Sequence, residues 1–200
     1  MIRMRFSLFG VLLAGLAMFA SLAHAARDDI GGSFDLVDQD GKRVTDKSLQ
    51  GKPVLLYFGF TTCPDICPLD LAKMASIARK IDQAFGIAVT PVFVSIDPER
   101  DTPAKLKTYV HYFGKDFVGL TGSAQQIADI GDKYHVYYKK VPYGADGNYM
   151  MAHSTMMFLL DADGGYLAHY GRALTDADIA TRAIATLRTQ GTALTVAHTN

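Results

Sequence analysis

Residues 53–68 read PVLLYFGFTTCPDICP, and the interpretation of the whole chain starts from them. The run from Pro53 to Phe60 is continuously apolar, which is typical of a strand buried on both faces in the centre of a sheet. From Leu71 to Ile81, apolar residues recur every three or four positions, which predicts a helix. Cys63 and Cys67 therefore lie where a buried strand passes into the N-terminus of a helix.

Strand and helix patterns alternate along the rest of the chain. Apolar or β-branched runs between turn residues predict strands at 33–37, 43–45, 87–96, 117–120, 136–141, 154–160 and 166–170. Helices are predicted at 103–113, 123–133 and 175–190, the first capped by Asp101 or Thr102 and the second by Ser123 with Gln126. A polar loop is predicted at 142–148.

This alternation, followed by a closing hairpin and a last helix, predicts an α/β domain of three layers with a central mixed β-sheet and an N-terminal β-hairpin. The cysteine pair directly follows the first central strand, which is the arrangement seen in thioredoxin-like folds. The chain has 200 residues, 49% of them hydrophobic, which suffices for one such domain with a buried core.

The first 25 residues have the three parts of a secretory signal peptide. A short basic segment with Arg3 and Arg5 precedes an uncharged apolar run at 6–22, and residues 23–25 are Ala-His-Ala, a small-residue cleavage site. We expect a signal peptide at 1–25, an exported domain of thioredoxin-like fold at 26–190 and a flexible tail at 191–200. The expected location is the periplasm. The alternative is an uncleaved segment that anchors the domain to the inner membrane.

The balance and distribution of charged residues do not predict a nucleic-acid partner. Lys and Arg number 20, Asp and Glu also number 20, and the formal net charge is 0. No cluster of basic residues is interleaved with aromatic ones, as a nucleic-acid-binding surface would require. Beyond the N-terminal segment no apolar run is long enough to cross a bilayer, so membrane contact is expected only if that segment stays uncleaved.

Cys63 and Cys67 are the only cysteines of the chain, and three residues separate them. Two cysteines of an exported protein often form a structural disulfide, but this one would close a very short loop and gain little from chain entropy. On a helix, an i, i+4 pair places both sulfurs on one face, where two soft thiolates suit Cu(I). A helix N-terminus also lowers the pKa of a thiol, which serves metal binding and thiol redox chemistry equally. The pair alone leaves both open.

Two sulfur ligands need a further ligand, and His153 is the favoured candidate. It directly precedes the predicted strand 154–160, which in a thioredoxin-like sheet would place it near the cysteine loop. A histidine taken alone is more often an ordinary polar residue. The other histidines are placed worse, in the signal peptide, near helices, in the closing hairpin or in the tail, at 24, 111, 135, 169 and 198.

Other side chains near these residues have structural interpretations. Methionines at 150, 151, 156 and 157 surround His153 in sequence, and those at 156 and 157 are interpreted as core residues of a strand rather than copper ligands. Asp97 follows the second buried strand, at the same edge of the sheet as the cysteine loop. Its favoured role is to cap a turn, with Arg100 paired to a nearby carboxylate, and an outer copper ligand is the alternative.

Three segments resemble the Sco/SenC family of copper-binding proteins: GFTTCPDICP at 59–68, VSIDPERDTP at 94–103, and the His-Ser pair at 153–154 leading into a strand. The resemblance extends from about Gly31 to Leu187. It implies a thioredoxin fold and a copper chaperone that delivers Cu(I) or Cu(II) to the binuclear copper centre in the copper-accepting subunit of cytochrome c oxidase. The residues that match the copper ligands of the family are Cys63, Cys67 and His153.

Two features depart from the family pattern. Family members often have Asp before the histidine, where this chain has Ala152. Many members keep a membrane anchor, whereas a cleavable signal is expected for this chain. Another periplasmic copper protein is therefore an alternative acceptor.

Two enzymatic functions compete with the chaperone. A thiol-disulfide oxidoreductase would use Cys63 and Cys67 as a redox-active pair, joined by a disulfide when oxidised, to keep the cysteines of an acceptor reduced. A thiol peroxidase is the weaker alternative, because peroxiredoxins usually have Thr three residues before the reactive cysteine and Phe60 stands there. Dedicated oxidoreductases of this fold generally carry Cys-x-x-Cys, so the longer spacing here favours a metal-binding protein without catalytic residues.

Overall fold

The computed structural model describes residues 30–144 and 147–197. The predicted signal peptide lies outside the described residues, so its boundary stays a prediction. The strands are β1 (Asp35–Asp38), β2 (Arg43–Thr45), β3 (Val54–Gly59), β4 (Thr90–Ser95), β5 (Val118–Thr121), β6 (Tyr138–Pro142), β7 (Tyr149–His153), β8 (Met156–Leu160) and β9 (Tyr166–Gly171). The α-helices are α1 (Ile66–Phe85), α2 (Pro103–Phe113), α3 (Ala124–Lys133) and α4 (Asp176–Ala197), and a short 3-10 helix spans Asp46–Leu49.

Seven of these strands form one mixed sheet in the order β2-β1-β5-β4-β3-β8-β9. The three central strands β3, β4 and β5 are parallel, and β8 and β1 join them antiparallel on either side. β1 and β2 form the predicted N-terminal hairpin, and β8 and β9 form the closing hairpin. The mixed sheet and both hairpins agree with the sequence prediction.

β3 lies in the interior of the sheet, and every one of its residues is buried. On one face, Tyr57 lies beside Phe93 of β4, and Phe93 lies beside Gly119 of β5. A Cβ on Gly119 would touch side chains of α2, so this helix covers that face. Phe58 points to the opposite face, where its ring packs against Tyr134 at the end of α3. Helices therefore lie on both sides of the sheet, which confirms the three-layer prediction.

The ends of α2 and α3 follow local signals in the sequence. Thr102 caps α2 by accepting a hydrogen bond from the backbone N–H of Lys105 at 3.4 Å. Ser123 and Gln126 form the predicted capping box of α3. β4 begins at Thr90 rather than at residue 87, because the strand exists only where the chain pairs with β3.

β6 and β7 form a separate two-stranded sheet that the sequence predicts only in part. β6 matches the predicted strand at 136–141, shifted toward the C-terminus, whereas β7 was not predicted. β6 is mostly exposed, so it lacks the apolar pattern that marks the strands of the main sheet. His153 consequently ends the second strand of a hairpin, instead of standing in a loop before β8.

α4 closes the domain against α1. Its inward side chains Ile179, Ala180 and Ala183 are buried. The helix extends to Ala197, past residue 191, where the tail was predicted to begin. The flexibility of the tail stays a prediction.

Candidate metal centre

Cys63 lies in the loop between β3 and α1, and α1 begins only at Ile66. Their spacing predicted that the two cysteines share one face of a helix. This prediction is wrong, because Cys63 precedes the helix. They are still neighbours, since the backbone N–H of Cys67 donates a hydrogen bond to Sγ of Cys63 at 3.4 Å. The sulfur of Cys63 thus takes up one of the N–H groups that a helix N-terminus leaves unpaired.

The loop that carries Cys63 is fastened by the buried carboxylate of Asp101. Asp101 accepts hydrogen bonds from the backbone N–H of Thr61 at 2.9 Å and from the hydroxyl of Thr61 at 2.5 Å. The hydroxyl of Ser95 donates to the same carboxylate at 2.7 Å. Asp101 was one of two candidates for the cap of α2, and the structure gives it this different task. It ties the cysteine loop to the end of β4.

Cys67 is fully buried, and its sulfur lies against Gly59, the last residue of β3. A Cβ on Gly59 would stand 2.9 Å from Sγ of Cys67 and 2.8 Å from the ring of Phe93. Such distances are shorter than van der Waals contact allows, so a side chain here would displace the sulfur. The absence of a side chain at Gly59 lets Cys67 lie this close to the sheet.

His153 approaches the cysteines from the end of β7. Its Nε2 lies 3.7 Å from Sγ of Cys67. Its Nδ1 lies 2.8 Å from the carbonyl oxygen of Ser154, and because a carbonyl only accepts, this hydrogen bond assigns the proton to Nδ1. The rings of Tyr57 and Phe60 pack edge-on against the imidazole. The lone pair of Nε2 is therefore directed toward the sulfur, as a metal ligand requires.

The three side chains differ in protonation. A hydrogen bond from the Cys67 side chain, together with N–H groups at the start of α1, lowers the pKa of Cys63 to about 5. The same contact with Cys63, together with burial, raises the pKa of Cys67. Burial lowers the pKa of His153. A thiolate and a neutral imidazole are thus available, and these are the forms that bind metals.

The three side chains are not yet a closed metal site. Across residues 30–144 and 147–197, no three side chains of His, Cys, Asp or Glu converge closely enough to hold a metal ion. Cys67 and His153 are already in contact, and Cys63 joins them through the backbone of Cys67. Two sulfurs and one imidazole nitrogen form a donor set that fits copper. Binding through all three requires the side chains to close around the ion.

The remaining sequence candidates match their expected structural roles in part: Arg100 pairs with a carboxylate and Met157 is in the core, whereas the Asp97 side chain caps no turn and Met156 is not fully buried. The carboxylate of Asp97 is fully buried and pairs with Nε of Arg100 at 2.5 Å. Met157 is buried in β8, and Met151 is buried in β7. Met156 is only half-buried.

Two buried polar side chains beside the cysteines were missed by the sequence reasoning. Oδ1 of Asp70 accepts a hydrogen bond from Nε of Arg172 at 3.2 Å. Tyr57 is fully buried, and burial, with Cys67 and Asp70 as neighbours, raises the pKa of its hydroxyl. Asp70 lies on the buried face of α1 together with Cys67 and Leu71. An acidic residue on that apolar face was the signal that could have identified it.

Comparison with known families identifies the family of the chain. The family model described as SCO1/SenC matches residues 23–188 of the chain. The chain belongs to the SCO1/SenC family. This confirms the resemblance noted from the sequence, and with it the thioredoxin-like fold class.

Solved and curated relatives extend this finding. An SCO2-like protein of Rickettsia conorii is 48% identical over 143 residues, which are 70% of this chain and 69% of the relative. ScoI of Arabidopsis thaliana, solved with copper bound, is 41% identical, with a TM-score of 0.78 over 80% of this chain and 99% of that chain. BsSco is described as a member of the Sco family of cytochrome c oxidase assembly proteins with a disulfide switch. It is 29% identical, with a TM-score of 0.62 over 80% of this chain and 95% of that chain.

Homologous Sco proteins have thus been solved with copper bound.

Within the described part of the chain, no helix has the length and hydrophobicity needed to span a bilayer.

Proposed function

We propose that this protein is a periplasmic copper chaperone that binds one copper ion through Cys63, Cys67 and His153. It delivers the ion to the binuclear copper centre of cytochrome c oxidase. The observation that carries the proposal is the 3.7 Å contact between Nε2 of His153 and Sγ of Cys67, two residues 86 positions apart. A copper site built on two sulfurs needs a further donor, and this imidazole nitrogen is directed at one of the sulfurs.

The protonation states suggest how copper is taken up as cargo. Cys63 is half-exposed and has the lowered pKa, so its thiolate is the donor ready for an incoming ion. Cys67 must lose its proton when its sulfur binds, so loading releases a proton. His153 then supplies Nε2. Two thiolates and an imidazole make a three-coordinate site for Cu(I), or part of a tetragonal site for Cu(II).

The relatives support both halves of the proposal. ScoI of Arabidopsis thaliana holds copper, and BsSco belongs to a family of cytochrome c oxidase assembly proteins. The proposed acceptor is accordingly the copper-binding subunit of that oxidase, and another periplasmic copper protein is the alternative.

A copper titration of the reduced protein, followed by absorption and mass spectrometry, tests the ligands. We expect one copper ion per chain in the wild type, no retained copper in Cys63→Ala or Cys67→Ala, and an affinity lower by about tenfold or more in His153→Ala. His111→Ala, which alters an exposed histidine of α2, is the matched control and should bind as the wild type does. Unchanged stoichiometry and affinity in His153→Ala would remove that residue from the site.

A thiol-disulfide oxidoreductase is the second candidate, and the unequal pKa values of the cysteines favour it. The thiolate of Cys63 would attack a disulfide of the acceptor and form a mixed disulfide. Cys67 would then displace the acceptor as a reduced dithiol, leaving a Cys63–Cys67 disulfide. Rapid reduction of insulin disulfides without copper uptake would replace the chaperone with this enzyme. Copper uptake with negligible turnover supports the chaperone.

The proposed location rests on the N-terminal segment, which has the pattern of a signal peptide. Cell fractionation and N-terminal sequencing test it. We expect a periplasmic protein that begins at Ala26. A membrane-bound protein that retains residues 1–25 would instead establish the anchored form.

A further inference from the structure

The hairpin of β6 and β7 brings His153 to the cysteines, yet it is not part of the main sheet. An isolated two-stranded ribbon is only marginally stable by itself, so its position depends on its contacts with the rest of the domain. Tyr149, Met151 and His153 alternate along β7 and therefore point to the same face. Tyr149 begins the strand, and His153 ends it.

Apolar packing under this hairpin is incomplete. An open pocket of about 200 Å³ is lined by Tyr138, Lys140 and Met151 of the hairpin, by the segment Ile96–Glu99 and by Ile127 of α3. Close packing normally fixes the position of an element, and side chains that line an open pocket lack part of that contact. Polar contacts must therefore do more of the positioning here.

Tyr149 makes such contacts with the end of β4 at several points. Its hydroxyl donates to Oδ1 of Asp97 at 2.7 Å, and its backbone carbonyl accepts from Nη1 of Arg100 at 2.8 Å. The guanidinium of Arg100 lies 3.8 Å from the centre of the Tyr149 ring. Nε of Arg100 in turn pairs with Asp97. Partial burial and the hydrogen bond to Asp97 raise the pKa of Tyr149 to about 12, so the hydroxyl keeps its proton and remains a donor.

Asp97, which accepts these contacts, is itself held in a fixed position. Its carboxylate is fully buried, and it lies two residues beyond the end of β4. Its backbone N–H donates to the hydroxyl of Ser95 at 3.0 Å, and that hydroxyl also donates to Asp101, which fastens the cysteine loop. One network of hydrogen bonds thus connects the loop of Cys63 to the strand of His153.

We propose that Asp97, Arg100 and Tyr149 form a clamp that positions His153 for copper, so that Tyr149 and Arg100 are positioning residues of the metal site. The inference rests on the proposed function, in which His153 is a ligand. The clamp holds the first residue of β7, and the strand transmits that position to its last residue. Without the clamp, the imidazole lies beside Cys67 for a smaller fraction of the time. The effective concentration of the third ligand at the site is then lower.

Tyr149→Phe tests the clamp because it removes one oxygen and keeps the ring over Arg100. Tyr143→Phe is the matched control, since Tyr143 lies at the tip of the same hairpin with 67% of its surface exposed. We expect copper affinity to fall about tenfold in Tyr149→Phe, as for loss of a hydrogen bond to a charged group, and to stay within about twofold of wild type in Tyr143→Phe. Arg100→Lys, which loses the planar contact with the ring, should resemble Tyr149→Phe.

A double-mutant cycle with His153→Ala separates positioning from general destabilisation. If Tyr149 acts through His153, then Tyr149→Phe causes no further loss of affinity once His153 is alanine. An equal loss in both backgrounds would overturn the inference, and so would wild-type affinity in Tyr149→Phe. Because His153→Ala is measured in the same series, failure of His153 as a ligand is seen independently of failure of the clamp.

Hydrogen exchange of the metal-free protein supplies a readout that needs no copper. We expect the backbone amides of Met150 and Ala152, which are the β7 amides that face β6 in the hydrogen-bonded pairs of the hairpin, to exchange about tenfold faster in Tyr149→Phe, with the amides of α1 unchanged. Exchange of the β7 amides at the wild-type rate would overturn the clamp whatever copper does.

Discussion

The start of α1 falls between Cys63 and Cys67, and it makes two identical side chains chemically unequal. Cys63 precedes the helix, is half-exposed and accepts N–H groups that the helix N-terminus presents. Cys67 is inside the first turn, fully buried against Gly59. At the scale of single residues, the position of one helix boundary therefore decides which sulfur is the thiolate.

The pH dependence of alkylation should reveal this inequality. The pKa of Cys63 is lowered to about 5, so its thiolate forms as pH rises through that value and is complete well below the pH at which a free thiol ionises. Reaction with iodoacetamide should therefore be almost independent of pH between 6 and 8. Cys67→Ala removes the largest stabilising contact, so the pKa of Cys63 should rise and its rate at pH 6 should fall about tenfold. A wild-type rate that climbs tenfold per pH unit in this range would contradict the lowered pKa.

Gly59→Ala should disturb Cys67 directly. The added Cβ meets the ring of Phe93 and the sulfur of Cys67 inside contact distance, so we expect a loss of about 1–3 kcal/mol in the free energy of unfolding. Gly114→Ala is the control, because there the nearest atom lies 3.5 Å away. Urea denaturation of both variants provides the measurement, and equal stabilities would contradict the close approach of the sulfur.

At the scale of elements, the parts that were predictable from sequence are those with local signals. The apolar run of β3, the Thr102 cap and the capping box of Ser123 and Gln126 each depend on residues a few positions apart. The hairpin that carries His153 has no such signal. Its anchor joins Tyr149 to Asp97 across 52 positions, and contacts of that separation leave no periodic pattern in the chain.

The residues of the candidate site also differ in whether local sequence signals could identify them. Cys63 and Cys67 could be identified from their place between a strand and a helix. His153 needed the family resemblance, because its neighbourhood is created by tertiary contacts. The task of Asp101 was misassigned between two possible caps, since its real partners, Thr61 and Ser95, come from other elements.

Asp101→Ala should loosen the contacts that join the cysteine loop, the end of β4 and the segment just before α2. The hydroxyls of Thr61 and Ser95 and one backbone N–H lose their acceptor, and buried donors without partners cost about 1–3 kcal/mol each. We expect a clearly lower free energy of unfolding and weaker copper binding, because the cysteine loop is no longer fastened. Asp116→Ala, at an exposed aspartate, should change the stability by less than about 0.5 kcal/mol. Comparable stabilities of the two variants would show that the loop is held by other contacts.

At the scale of the whole molecule, copper should stabilise the fold by mass action. Free copper at about 100 times its Kd adds about 2.7 kcal/mol if the unfolded chain does not bind it. For a domain of this size that corresponds to a rise in Tm of about 5–10 °C, measured by calorimetry of the reduced protein. The rise should shrink in His153→Ala, because the same copper concentration is then a smaller multiple of Kd. An equal rise in both proteins would mean that the histidine takes no part in binding.

The 86 positions between Cys67 and His153 contain β4, β5 and the hairpin itself. In the folded domain β3 pairs with β4 on one side and with β8 on the other, and β8 follows β7 directly, so the sheet brings the end of β7 to the cysteine loop. A chain in which this sheet has not yet formed therefore offers two sulfurs and no imidazole. Under the proposed ligand set, full-strength copper binding therefore marks a completely folded chain, and a partly folded chain binds the ion more weakly.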